Sequence, residues 1–366
     1  MENGKRLALG RVLRNLPAMN RTPVAVVGAS GYSGIELLRI LLQHPGFDLM
    51  NVTSRQFAGR PVADVFPQFG GCAAAESLVF TTPEVGALIA GEAEIVFLAL
   101  PHGVAAGYAL PLVEAGKRVV DLSADFRLRD AAVYEEFYGA PHPSPEWLAQ
   151  AVYGLPEVRP DEISKAQLVA SPGCYPTSVL LPLLPLLRNG LLDTGSLVIH
   201  SMSGTSGAGR KESLPLLFAE CNESVRAYSV PKHRHLSEIE QELSLAADTA
   251  VRVTFVPHLI PVTAGIHTST VAQLALGIGS GEVTRALGEA YHGKPFVRLL
   301  GEGGCPDTRH VVGGNFIDIG WSVDSRTNRL VLLSAEDNLW KGAAGQAVQS
   351  ANLMNGQPEG TGLLAW

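Results

Sequence analysis

Residues 168–180 read LVASPGCYPTSVL, which places Cys174 directly after a Pro-Gly turn and just ahead of an apolar helical run. Pro176, Thr177 and Ser178 suit a helix entry, so Cys174 is expected at or near a helix N-terminus. There the macrodipole and free backbone amides favour the thiolate, the nucleophilic form of cysteine. The same amides could hold an oxyanion on a tetrahedral carbon. A free cysteine more commonly ends as a small buried hydrophobe, and that reading suits Cys72, Cys221 and Cys305. A thiol nucleophile wants an acid/base partner. The stretch PKHRHLSEIEQEL, residues 231–243, offers His233 and His235 around Arg234, ahead of a helix with Glu238 in its first turn. An ordinary surface segment would look the same. His102, His200, His258 and His267 compete, and read as structural.

A second constellation is Gly28-Ala29-Ser30-Gly31-Tyr32-Ser33-Gly34, a G-x-x-G-x-x-G variant of the dinucleotide fingerprint. Glycine permits a tight turn and lets backbone amides approach a pyrophosphate seated on a helix N-terminus. The motif alone is weak, since a plain strand-to-helix turn also explains it. Its position after the first hydrophobic strand strengthens it. An NAD-preferring site carries an acid about 20 residues on, for the ribose 2′-hydroxyl. Here Val52-Thr53-Ser54-Arg55-Gln56 has no carboxylate. Ser54 and the Arg55 guanidinium suit a 2′-phosphate instead, with Arg60 adding charge, so NADP(H) is the expected cofactor. A third stretch, Ser203 to Arg210, is a donor-rich loop after a strand; it could approach both a nicotinamide and an anionic substrate, with Arg210 as the charge.

These residues need elements to hold them. Val24 to Val27 is a β-branched run suited to a strand buried on both faces. Ile35 to Leu42 has helical apolar spacing that ends at His44-Pro45. Strands near 49–53, 94–100 and 118–123 alternate with helices near 83–89 and through Leu112. Such alternation implies a Rossmann-type, doubly wound parallel sheet. Beyond Cys174 the strands at 196–204, 252–262, 268–276, 316–324 and 329–337 are longer and alternate, which suits an α+β unit with a mixed, largely antiparallel sheet. Residues 338–354 read as a final helix. The expected organisation is an N-terminal extension at 1–22, an NADP-binding domain at 23–174, a catalytic and dimerisation domain at 175–337, and a C-terminal segment at 338–366 returning to the first domain.

Of the 366 residues 46% are hydrophobic and 17% charged, so a large core is available and wholesale disorder is not expected. A formal net charge of −7 argues against nucleic-acid binding, which wants a basic face. No apolar run reaches the ~20 residues that span a bilayer. Four scattered cysteines, without C-x-x-C pairs or histidines at zinc spacing, read as reduced thiols of a cytoplasmic protein with no metal. The first 22 residues are basic and lack the apolar core of a secretory signal.

Taken together, GASGYSG, DLSADFRL (121–128), AVYGLPE (151–157), SPGCYPTS, SGTSGAGRK, HRHLSEIEQEL, FVPHLIPV and NLWKGAAGQAVQ resemble N-acetyl-γ-glutamyl-phosphate reductase, a family related to aspartate-semialdehyde dehydrogenase. The resemblance runs from about Pro23 to about Asn355. It implies NADPH-dependent reduction of N-acetyl-γ-glutamyl phosphate to N-acetylglutamate 5-semialdehyde, in arginine biosynthesis, by a homodimer or homotetramer. It implies Cys174 as the acyl-accepting nucleophile and His233 as acid/base, with His235 second. Cofactor contacts are expected at Gly28, Ser30, Gly31, Tyr32, Ser33, Gly34, Ser54, Arg55, Ser123, Gly207 and Asn338. Substrate contacts are expected at Arg127, Ser178, Ser206, Arg210 and Arg234. One departure stands out: the family pattern has an arginine before Gly-Ile after FVPHLIPV, where this chain has Ala264. The nearest alternatives are a sister reductase acting on an N-blocked aminoadipyl phosphate and aspartate-semialdehyde dehydrogenase. More distant are a cysteine acyltransferase or hydrolase without a nicotinamide, and a non-catalytic NADP sensor.

Overall fold

The computed structural model describes residues 21–210 and 212–364; residues 1–20 of the expected extension lie outside them. The first sheet contains β1 (Thr22–Val27), β2 (Phe47–Thr53), β3 (Phe80–Thr81), β4 (Ile95–Leu98), β5 (Arg118–Asp121), β6 (Val152–Tyr153) and β7 (Leu168–Ala170). All pair in parallel, in the order β3-β2-β1-β4-β5-β7-β6. Successive side chains of a strand point to opposite faces, and β1 shows what covers each. Val24 and Val26 pack with Leu37 and Leu38 of the helix Tyr32–Leu41 and with the helix Gly345–Met354. Ala25 and Val27 pack with Ala109 and Leu112 of the helix Ala106–Glu114. Helices on both faces account for the unbroken apolar run. The chain winds one way from β1 to β2 and the other way from β1 to β4, and that reversal opens a crevice at the carboxyl end of β1.

The second sheet contains β8 (Val198–Ser203), β9 (Arg226–Ala227), β10 (Thr254–Leu259), β11 (Ile266–Gln273), β12 (Val297–Glu302), β13 (Ile317–Asp324) and β14 (Arg329–Glu336), in the order β12-β13-β14-β11-β8-β10-β9. β8 pairs with β10 and β12 with β13 in parallel; the other four pairings are antiparallel. This is the mixed, largely antiparallel sheet the alternation predicts. β3, β6, β7, β9 and β12 were not legible. The first four have only two or three residues, too few to show a period, and β12 is broken by a register shift between Leu299 and Gly301.

The helix Cys174–Arg188 lies buried on one face of the second sheet, against the helices His235–Ala247 and Ser280–Tyr291. Pro176 sits in its first turn, where a missing N–H costs nothing. Pro182 and Pro185 lie in its interior and each removes a ladder bond. Burial of Val179, Leu180, Leu183, Leu184 and Leu187 offsets that loss. After β14 the chain makes a π-helical turn, Trp340–Ala344, before the last helix Gly345–Met354. That helix joins the core of the first sheet, and Arg118 of β5 donates to the Met354 carbonyl at 2.5 Å.

Candidate active site

Cys174 is the first residue of its helix, and Gly173 caps it without a side chain. The missing cap comes from another element. Gly173 N–H donates to Glu238 Oε2 at 3.0 Å, and Tyr153 O–H donates to the same oxygen at 3.2 Å. Arg127 Nη1 donates to Glu238 Oε1 at 2.9 Å, with both groups buried, and Arg127 Nη2 donates to the Leu122 carbonyl. A carboxylate on the second sheet's helix thus fixes both the loop before Cys174 and the end of β5. The Tyr175 amide is aimed at the sulfur and favours the thiolate, as a helix N-terminus should. Burial outweighs it. With the Glu336 carboxyl group close by, burial pushes the thiol up to about 12, so the resting form is a neutral thiol and not the expected thiolate.

Cys174 opens into a cavity of about 370 Å³ that also receives Tyr175, His233, Arg234, His235 and Gly207. His235 N–H donates to His233 Nδ1 at 3.1 Å, which assigns the hydrogen of the neutral ring to Nε2. Burial, with Arg234 beside it, holds His233 down to about 4. His235, also buried, lies well below the ordinary histidine range, and a Cβ on Gly173 would meet its Nε2 at 2.5 Å. Both rings are neutral at neutral pH. Arg234 reaches across the mouth to the His102 ring, at 2.9 Å from Nδ1. A larger groove of about 510 Å³ lies elsewhere, beside Arg129 and Arg252, and no thiol or histidine lines it.

The glycine turn sits at the crevice end of β1. Gly28 has φ +84°, and a Cβ there would fall 2.4 Å from the Ala99 carbonyl oxygen; a Cβ on Gly34 would fall 2.6 Å from the Gly28 carbonyl oxygen. These are the close approaches for which the fingerprint needs glycine. Gly31 caps the helix that Tyr32 and Ser33 begin. Ser30 Oγ and Ser54 Oγ are 2.9 Å apart, and Thr53 Oγ1 accepts from Gly28 N–H. Arg55 is exposed next to Ser54, its Nη2 donating to the Tyr108 hydroxyl at 3.4 Å. A hydroxyl pair, an open guanidinium and no carboxylate fit a dinucleotide with a 2′-phosphate.

Two further groups connect turn and cavity. Arg210 Nη1 donates to the Ser30 carbonyl at 3.2 Å and its guanidinium lies over Phe66, so Arg210 stands at the dinucleotide turn. Asn338 Nδ2 donates to Ser206 Oγ at 2.9 Å, and Asn338 Oδ1 accepts from Gly265 N–H at 2.7 Å, which pins the loop carrying Gly207. Ser123 bonds Asp121 through both its amide and its hydroxyl at the end of β5. Ser178 is not brought to the cavity: it is fully buried, bonded to Thr268 Oγ1 at 2.8 Å inside the second sheet's core. Arg127 is committed to Glu238. Sequence reasoning missed Tyr228, whose hydroxyl donates to the Tyr175 hydroxyl at 3.0 Å, because its segment carries no periodic pattern. It also missed Glu336, for which a signal existed: the two-residue period of 330–336 puts that carboxylate on the core face.

Comparison with known proteins agrees with this geometry. The semialdehyde dehydrogenase NAD binding domain family matches residues 23–166, and the semialdehyde dehydrogenase dimerisation domain family matches residues 174–338. A protein of Akkermansia muciniphila named N-acetyl-gamma-glutamyl-phosphate reductase is 59% identical over 345 residues, 94% of this chain and 99% of its own. The chain belongs to the N-acetyl-γ-glutamyl-phosphate reductase family. Relatives of that name from Geobacter sp. strain M21 and Acetivibrio thermocellus are 50% and 46% identical, each over 93% of this chain and 97% of their own. Solved structures share the fold of this reductase family at lower identity. Aspartate semialdehyde dehydrogenase II of Vibrio cholerae superposes with TM-score 0.69 at 17% identity over 92% of this chain and 98% of its own. The Candida albicans enzyme, solved with NADP, gives 0.69 at 18% over 91% and 98%.

Proposed function

We infer that the protein carries out the reaction of its family, the NADPH-dependent reductive dephosphorylation of N-acetyl-γ-glutamyl phosphate to N-acetylglutamate 5-semialdehyde. The observation that carries the reading is the placing of a helix-N-terminal thiol and two neutral histidines in one cavity, joined to a dinucleotide turn by the 204–210 loop. Cys174 attacks the acyl carbon. The C–O bond to phosphate breaks, the C–S bond forms, and the thiol proton leaves with the phosphate oxygen. The amides at the helix N-terminus and His233 Nε2–H hold the carbonyl oxygen as negative charge develops. The Gly28–Gly34 turn would hold NADPH, with Ser54 and Arg55 on its 2′-phosphate, and the cofactor when bound would supply the hydride that reduces the thioester. As the thiohemiacetal collapses the C–S bond breaks, and His233 Nε2–H supplies the proton that restores the thiol while taking up the one the hydroxyl releases. Arg234 at the cavity mouth provides charge for the substrate's anionic groups, as Arg210 does between cavity and turn. Among the described residues, no group of histidine, cysteine and carboxylate side chains is arranged to hold a metal.

The protein works as a homo-oligomer, a dimer or a tetramer. The second sheet supports this: its face away from the helices leaves Val198, Met202, Val256, Val271 and Val331 only half-buried. The four free cysteines suit the cytoplasm.

The acyl phosphate is labile, so the test runs backwards: N-acetylglutamate semialdehyde, phosphate and NADP, with NADPH formation followed in wild type and Cys174→Ser. Phosphate-dependent NADPH formation, lost on substitution, is expected. No turnover of this aldehyde, with turnover of N-acetyl-aminoadipate or aspartate semialdehyde, would reassign the substrate.

A further inference from the structure

Leu330, Leu332 and Ser334 of β14 face the core, and Glu336, its last residue, follows in the same phase. Its side chain is fully buried, and among the described residues neither carboxyl oxygen has a hydrogen-bond partner. Lys341 is near, yet its ammonium is engaged: it donates to Glu157 Oε1 at 2.6 Å and to Gln349 Oε1 at 2.9 Å. A Cβ built on Gly342 would lie 2.7 Å from Cys174 Cβ and 3.1 Å from Glu336 Oε1. Thiol and carboxyl group therefore meet across a glycine. The other charged groups facing Glu336 are Lys341 and two acids, Asp337 and Glu157. Asp337 accepts from the Gly313, Leu339 and Trp340 amides, so it offers Glu336 no donor. The charges of Arg127 and Glu238 also act on the thiol, in opposite directions. A buried carboxyl group without partners keeps its proton.

We propose that Glu336 and Cys174 form a coupled acid pair, in which the carboxyl group is a positioning residue that governs when the thiol ionises. Two acids facing each other, one of them fully buried, do not both lose their protons readily. While Glu336 is neutral, the thiol meets its own burial and the Tyr175 amide aimed at it. Once Glu336 ionises, its charge adds to the burial and holds the thiol proton more firmly. The consequence is a nucleophile that stays protonated toward stray alkylating and oxidising agents, because thiolate character sets both reactivities. The inference rests on the reading of Cys174 as the nucleophile.

The test is site-resolved labelling of Cys174 by iodoacetamide, read by peptide mass spectrometry because Cys72, Cys221 and Cys305 are also free. It is run across pH on the full-length wild type, Glu336→Gln and Glu336→Leu, with folding checked by thermal unfolding. Wild-type labelling should rise with a midpoint above the ~8.5 of a free thiol. Both substitutions should lower that midpoint by about one unit or more, which is roughly tenfold faster labelling below it. A wild-type midpoint at or below the free-thiol value overturns the proposal and needs neither variant to fold. So does a midpoint unmoved in the folded variants. Failure of the nucleophile reading looks different: Cys174→Ser would keep turnover, whatever the labelling profile.

Discussion

Glu238 is the residue whose loss should separate stability from chemistry most cleanly. It is fully buried and accepts from Arg127, Tyr153 and the Gly173 amide that precedes the thiol. Glu242, one turn further along the same helix, is also buried and accepts from Arg159 Nη2 at 2.5 Å, but it holds no part of the Cys174 loop. Removing one partner of a buried ion pair costs about 3–5 kcal/mol, mostly the price of stranding the other charge. Glu238→Gln and Glu242→Gln keep shape and lose charge, so each should lower unfolding free energy by roughly 3 kcal/mol in denaturant titrations. Their catalytic effects should differ. Glutamine at 238 cannot satisfy the arginine and the two opposing donors together, so the loop carrying Gly173 shifts. A displacement near 1 Å costs a reaction about 10²-fold. Turnover per folded molecule, followed by NADPH formation, should fall by about that factor in Glu238→Gln and by less than about twofold in Glu242→Gln. Equal losses in the two variants, or an unchanged Glu238→Gln, would refute the claim that this carboxylate positions the nucleophile.

Two further outcomes follow from named groups. Arg55→Ser should raise KM for NADPH by about 10–100-fold while hardly changing weak NADH use, because a charge-assisted bond to the 2′-phosphate contributes about 1.5–3 kcal/mol; equal effects on both cofactors would remove Arg55 from that site. Acidification should destabilise the fold between pH 6.5 and about 4, because burial holds His44 and His233 down to about 4 against 6.5 in the unfolded chain. In that window the unfolded state takes up protons the folded state refuses, so stability present above 6.5 is lost as pH falls, by up to about 3 kcal/mol per histidine. Protonating His44 also sacrifices the bond from Gly46 N–H to its Nδ1. Unfolding of His44→Gln should therefore show a shallower pH slope than wild type, and parallel slopes would contradict the account.

How far the sequence carried depended on whether a residue's setting was local. The β1 run, the Gly28–Gly34 turn and the helix start at Cys174 follow from spacing within a dozen residues, and the structure places each as the spacing predicts. Ser178 misleads because its neighbours set a helix entry, while the direction of its side chain depends on Thr268, 90 positions away. Arg210 points to the dinucleotide turn for a comparable reason: the Ser30 carbonyl and the Phe66 ring that hold it belong to the other sheet's unit. The protonation of Cys174 was illegible in the same sense. A helix N-terminus is a sequence feature and predicts a thiolate, whereas the depth of the cavity and the arrival of Glu336 from β14 are tertiary facts that reverse it.

That reversal determines the order of events in the reaction. Desolvation disfavours charge whatever its sign, so the cavity that pushes the thiol up to about 12 also holds His233 down to about 4. An acid that strong in its grip on the proton does not transfer it to so weak a base, and a thiolate–imidazolium pair is not the resting state. The proton must leave as the C–S bond forms, at the moment when negative charge passes to the departing phosphate. The bound substrate then provides the base, and the free enzyme stays neutral where it is most reactive. In the reaction proposed above this makes Arg234 part of the timing: by drawing a dianion to the mouth of the cavity it would deliver a group able to take the thiol's proton.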